Sequence, residues 1–155
     1  MKYRFLSLSF CLSIAFLFFG CKEDREPVTN PPFVYFMLDD GTSSTIVNCD
    51  VSAINTYYVY LSAEAQKRPV EVSYEVVAGD GLKEGVDYEF LTATRTLTFL
   101  SGVYDMPVRI KWLPNPVSTD KDNTLTIRLT GSNKNYVLGV PGPDHKNREL
   151  IITKQ

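Results

Sequence analysis

Residues 70–77 read VEVSYEVV, and this octet decides the fold. Val70, Val72, Tyr74 and Val76 fall on one face of an extended chain, with Glu71, Ser73 and Glu75 on the other. A period of two is what a β-strand presents to its two sides; an amphipathic helix would repeat every 3.6 residues instead. Gly79-Asp80-Gly81 then closes the run with turn residues.

The same alternation recurs in both directions from this octet. Residues 56–62 (TYYVYLS) set Tyr57, Val59 and Leu61 on one face and Tyr58 and Tyr60 on the other. Residues 96–99 (TLTF) turn Leu97 and Phe99 inward, and Ser101-Gly102 follows as a turn. Residues 107–113 (PVRIKWL) oppose Val108, Ile110 and Trp112 to Arg109 and Lys111, which makes Trp112 a core residue rather than a surface platform. Residues 114–123 form a polar, proline-bearing loop. Leu125, Ile127 and Leu129 then alternate through residues 124–130, and Leu150 and Ile152 through residues 148–153. Residues 33–38 (FVYFML) are apolar throughout, as in a strand covered on both faces, and Asp39-Asp40-Gly41 ends them. At most one helical turn fits, at residues 63–67. These seven segments, separated by turn signals, predict an all-β, antiparallel sandwich of about seven strands over residues 33–155.

Composition narrows the function classes. The chain has 155 residues, enough for one domain, and 22% of them are charged, which does not fit a disordered protein. Sixteen Lys plus Arg against 18 Asp plus Glu leave no basic face of the kind nucleic-acid binding needs. One His and three Cys are too few soft ligands for a zinc centre. No G-x-S-x-G elbow and no H-E-x-x-H motif occurs, and His145 sits in a polar loop without a nucleophile at a motif position. A non-enzymatic protein is expected.

The N-terminus reads as an address. Lys2 and Arg4 precede an uncharged apolar run over residues 5–19, too short to span a bilayer core comfortably. The run ends at Gly20-Cys21, which resembles the lipobox of bacterial lipoproteins, with Phe18 where Leu or Val is commoner. That resemblance implies a signal peptide over residues 1–20, cleavage before Cys21, and acylation of Cys21, palmitate included, as the attachment to the membrane. Lys22-Glu23-Asp24 resembles the "Lys then two acids" export signal of surface lipoproteins in gut-type Gram-negative anaerobes, which implies an outer-membrane, surface-exposed location. Residues 21–32 (CKEDREPVTNPP) form an acidic, Pro-rich tether with almost nothing to bury. With the leader removed, Lys2 and Arg4 are lost, so the net charge becomes 14 − 18 = −4. Cys49 is then the one remaining free thiol, best read as a small buried hydrophobe.

Gly85-Val86-Asp87-Tyr88, Thr96-Leu97-Thr98-Phe99 and Gly102 together resemble the GxDY…TLTF…G core of Calx-beta repeats. Val108, Ile110 and Trp112, then residues 125–129 (LTIRL), 136–139 (YVLG) and 150–152 (LII), continue the order from about Val70 to Lys154. The resemblance implies an immunoglobulin-like sandwich. Lipobox, tether and one such domain together look like small surface lipoproteins of unknown function that often accompany glycan-uptake machinery.

Three binding chemistries follow as expectations. An accessory or adhesion module would contact an envelope or surface protein through a solvated face. A glycan-binding protein would need flat aromatic faces beside hydrogen-bonding groups, and Tyr58 and Tyr60 at i and i+2 are the candidate platform. Some Calx-beta domains bind calcium through acidic residues at one end of the sandwich, which makes Asp39, Asp40, Asp80, Glu84, Asp87, Asp120 and Asp122 candidates. Lys121 weakens that field, and a turn carboxylate at Asp87 beside a core-covering Tyr88 is the simpler reading, so no resident cofactor is expected.

Overall fold

The computed structural model describes residues 31–155; the leader, Gly20-Cys21, Lys22, Glu23, Asp24 and most of the tether lie outside the described residues. The described chain is all-β. Its strands are β1 (Phe33–Phe36), β2 (Ser44–Val47), β3 (Ala53–Ser62), β4 (Val70–Ala78), β5 (Tyr88–Phe90), β6 (Thr96–Phe99), β7 (Asp105–Trp112), β8 (Thr124–Ser132), β9 (Val137–Leu138) and β10 (Glu149–Lys154). They form two five-stranded sheets, sheet A in the order β5-β7-β3-β1-β9 and sheet B in the order β2-β10-β8-β4-β6.

The alternation in the sequence is the alternation in burial. On β4, Val70, Val72 and Tyr74 are buried while Glu71 and Glu75 are exposed. Tyr57, Val59 and Leu61 of β3 and Val108, Ile110 and Trp112 of β7 face the core from sheet A. Leu97, Phe99, Leu125, Ile127, Leu129, Leu150 and Ile152 meet them from sheet B. Burying a side chain of this size contributes about 1.5–3 kcal/mol, so the two inner faces supply the driving force for the sandwich.

Three details of the expectation are corrected. There are ten strands among the described residues, not seven, because β2, β5 and β9 are short pieces of four, three and two residues. The segment at residues 33–38 stops at Phe36 and is not covered on both faces: Val34 and Phe36 are buried, Phe33 and Tyr35 only half-buried. Residues 63–67 form bends rather than a helical turn.

The sheets are also mixed rather than purely antiparallel, and the cause is local. The first segment begins in sheet A as β1, turns, and continues in sheet B as β2. The last segment does the same, from β9 in sheet A to β10 in sheet B. Each half therefore meets its counterpart in parallel, Phe33 opposite Val137 and Ser44 opposite Ile151. The first crossing uses Gly41, at φ 80°, with its N–H donating to Leu38 O at 2.9 Å and Asp40 Oδ1 accepting from the Thr42 N–H at 2.9 Å. The second needs Gly139, where a Cβ would lie 2.3 Å from the carbonyl oxygen of His145.

Candidate functional site

On the solvent face of sheet A, four outward residues of β1 and β3 are aromatic: Phe33, Tyr35, Tyr58 and Tyr60. The antiparallel register places Tyr35 opposite Tyr60 and Phe33 opposite Ser62. Ring centroids run from Phe33 to Tyr35 at 5.2 Å, Tyr35 to Tyr60 at 5.6 Å and Tyr60 to Tyr58 at 6.2 Å, with neighbouring planes tilted by 31–40°. Tyr58 is 39% exposed and Tyr60 is half-buried; among the described residues no strand covers either. The two sequence-predicted tyrosines are thus brought together, and two more aromatics extend them into a four-ring stripe. Phe33 and Tyr35 stand at i and i+2, a signal that was present in the sequence but needed β1 to be known as the neighbour of β3.

A hollow of ≈ 390 Å³ opens beside the stripe, walled by Tyr58, Tyr60, Asp39, Asp40 and Met37. Burial together with the carboxylates of Asp105 and Asp39 raises the Tyr60 phenol above its ordinary pKa, so it stays a neutral hydrogen-bonding group at neutral pH. Asp40 is held below the usual carboxylate range by hydrogen bonds from the side chain and backbone of Thr42. The arrangement therefore offers apolar ring faces with phenol donors and carboxylate acceptors at their edge.

The candidate acidic residues fall into separate places. Asp80 Oδ1 accepts from the Asp122 N–H at 2.8 Å, and Asp122 Oδ1 accepts from the N–H and hydroxyl of Thr124 at 3.0 and 2.7 Å. Gly79 and Gly81 allow this contact: a Cβ on either would lie 2.2 Å from Asp122 O or 2.0 Å from Asn123 Oδ1. Glu84 and Asp120 are exposed. Among the described residues no group of three or more His, Cys, Asp or Glu is placed to hold a metal ion.

Asp87 is buried and belongs to a different construction. Its Oδ1 accepts from Lys154 Nζ at 2.9 Å and from Asn115 Nδ2 at 2.8 Å, and its Oδ2 accepts from the Lys83 N–H at 2.9 Å. Lys154 is the third inward residue of β10, after Leu150 and Ile152, and is fully buried. The ion pair joins sheet B to the start of β5 in sheet A, across the sandwich. Burial opposes ionisation of Asp87, but the hydrogen bonds from Asn115, Lys154 and Lys83 outweigh it and hold the carboxyl below its usual range. Asp87 is thus the turn carboxylate expected from the sequence, with a charged partner the sequence reading missed. Tyr88 beside it covers the core, 4% exposed, against Trp112 at 6.0 Å between centroids.

Cys49 is half-buried rather than fully buried. His145 is exposed in a surface loop beside a hollow of ≈ 240 Å³, at φ 42°. Arg128 pairs across strands with Glu75 at 2.9 Å and Glu149 at 2.6 Å, and Lys111 with Glu89 at 3.1 Å, as expected for a solvated outer face.

No protein-family model matches the chain, and no curated protein does. The chain is similar to a structural-genomics structure of unknown function from Bacteroides ovatus, with a TM-score of 0.47 and 15% identity over 79% of this chain and 46% of that one. It spans about half the length of that protein.

Proposed function

We propose that the protein is a non-enzymatic binding module of the cell envelope, anchored at the outer membrane through Cys21, whose aromatic stripe on sheet A takes an oligosaccharide. The observation that carries this reading is the four-ring row of Phe33, Tyr35, Tyr60 and Tyr58, partly exposed and bordered by Asp39 and Asp105. Sugar rings present C–H faces that stack on aromatic faces and hydroxyls that need donors and acceptors at the rim. The stripe supplies both, on rigid strands, so little ordering cost is added on binding. A solvated charged face would serve protein contacts, but it does not explain why aromatics were placed outward on two neighbouring strands.

Titration of residues 31–155 with a panel of soluble polysaccharides tests this. A saturable interaction is expected with at least one, weakened about tenfold or more by Tyr58→Ala and again by Tyr60→Ala, with melting little changed. Equal affinity in the double variant would sink the reading. The anchor is tested separately in the full chain, where Cys21→Ser should release the protein from the membrane fraction.

A further inference from the structure

The edge of β3 is only half used. β7 pairs with it from Ala53 to Tyr60, but β1 pairs only with residues 59–62, so residues 53–58 have no strand on that side among the described residues. The Leu61 N–H donates to Tyr104 O on the β7 side at 2.8 Å. Antiparallel pairing alternates, so the backbone groups of Ile54 and Thr56 point the other way, into the gap that β1 leaves when it crosses to sheet B. Sheet B does not close this gap: β2 is its edge strand. A seam results, with β3 on one side and β2 on the other. It contains the hollow beside Tyr58 and a second of ≈ 300 Å³ bordered by Ile46, Val51, Asn55 and Trp112.

Two further observations concern what the seam lacks. Tyr57 Oη and Trp112 Nε1 are buried without a hydrogen-bond partner among the described residues, and each residue borders one of the two hollows. The Trp112 and Asn55 side chains lie beside the Tyr57 hydroxyl without reaching hydrogen-bond geometry. Charge on the seam's own walls is one-sided as well, with Lys111 and Arg109 opposite Ile54 and Thr56 on the β7 side, away from the gap. Between Phe33 and Gln66, the segment that builds both walls, there is no Lys, Arg or His, while Asp39, Asp40, Asp50 and Glu64 are present.

We propose that this seam receives an extended, cationic segment of a partner protein, which adds to sheet A as a strand beside Ile54 and Thr56. Its main chain would bond the free groups of β3 over about 20 Å of edge, at ~3.4 Å per residue. Its inward side chains would enter the hollows, a hydrogen-bond acceptor among them meeting Tyr57 and Trp112. Its Lys or Arg would face Asp39, Asp40 and Asp50. A second copy of this chain fits less well, because it would set the same aspartates against each other.

The test uses residues 31–155 and a short synthetic peptide alternating valine with lysine and threonine. Saturable binding is expected, with amide exchange at Ile54 and Thr56 slowed about tenfold or more. Replacing the peptide's lysines by glutamate, or N-methylating alternate amides, should weaken binding about tenfold or more. Thr56→Pro removes an edge donor while leaving the β7 ladder intact, and should do the same in a protein that still melts cooperatively. If that variant does not fold, the exchange and N-methyl measurements on the unaltered chain decide. Unchanged exchange at Ile54 and Thr56 under saturating peptide, or equal affinity for the N-methylated peptide, would overturn the proposal. So would a concentration-dependent dimer lost in Thr56→Pro, which would assign the edge to a second copy.

Discussion

Two regions of this sandwich bury polar side chains, and they treat them oppositely. Around Asp87, every oxygen of the carboxylate is met, by Lys154, Asn115 and the Lys83 N–H, and the Asp87 carbonyl accepts from the Leu113 N–H at 3.0 Å. Around Tyr57, the hydroxyl and the neighbouring indole N–H are left without partners among the described residues, beside a strand edge that no described strand pairs. A buried polar group costs free energy unless it is bonded, so the first region is a brace that the fold completes by itself. The second is a place where the fold leaves bonding capacity unspent, and on this chain that place lies next to the exposed aromatic stripe. The two regions are thus distinguished by saturation, not by burial.

The largest expected effect comes from breaking the saturated region. Lys154→Met leaves an uncompensated buried carboxylate and should destabilise by about 3–5 kcal/mol in chemical denaturation. Combining it with Asp87→Asn should recover a large part of that loss. If the single change costs no more than a surface substitution, the brace is not structural.

A smaller effect is expected with pH. The folded pKa of Asp87 lies below its unfolded value of about 4, so the pair's contribution is fully present above that value. It should be lost as pH falls further, through the folded pKa. Denaturation midpoints measured between neutral pH and pH 2 should therefore fall more steeply in the unaltered protein than in Asp87→Asn. Parallel curves would assign the acid sensitivity to other carboxylates.

The smallest effect, and opposite in sign, is expected in the open region. Tyr57→Phe removes a buried hydroxyl that has no partner among the described residues, so stability should stay level or rise by about 1 kcal/mol. A clear fall in the thermal midpoint would mean that the hydroxyl is satisfied within the chain, and the contrast between the two regions would fail.

Much of this architecture is legible in the sequence, for a physical reason. Strands with one face in the core and one in water carry the period-two pattern, so β3, β4, β7 and β8 declare themselves and their inward residues are found by parity. Parity alone would also have turned Lys154 inward after Leu150 and Ile152, but a lysine in that position reads as solvated unless its partner 67 residues away is known. Short pieces such as Tyr88–Phe90 and Val137–Leu138 carry too few positions to show any period. The parallel pairs and the half-used edge of β3 are properties of strand neighbours, which no local pattern encodes. Tyr58 and Tyr60 could be placed outward from the sequence, whereas the four-ring row required β1 and β3 to be adjacent.

The switch of the first segment between sheets also determines how the molecule bears a pull. Tension applied at Phe33 runs along β1, whose hydrogen bonds to β3 and β9 lie across that line on both sides. These bonds are loaded together in shear, not opened one after another from an end. Beyond Phe36 the chain crosses into β2, which lies in register with β10 over four residue pairs, so the load passes from one sheet to the other. A domain pulled at Phe33 would thus be gripped by both layers before any strand could peel.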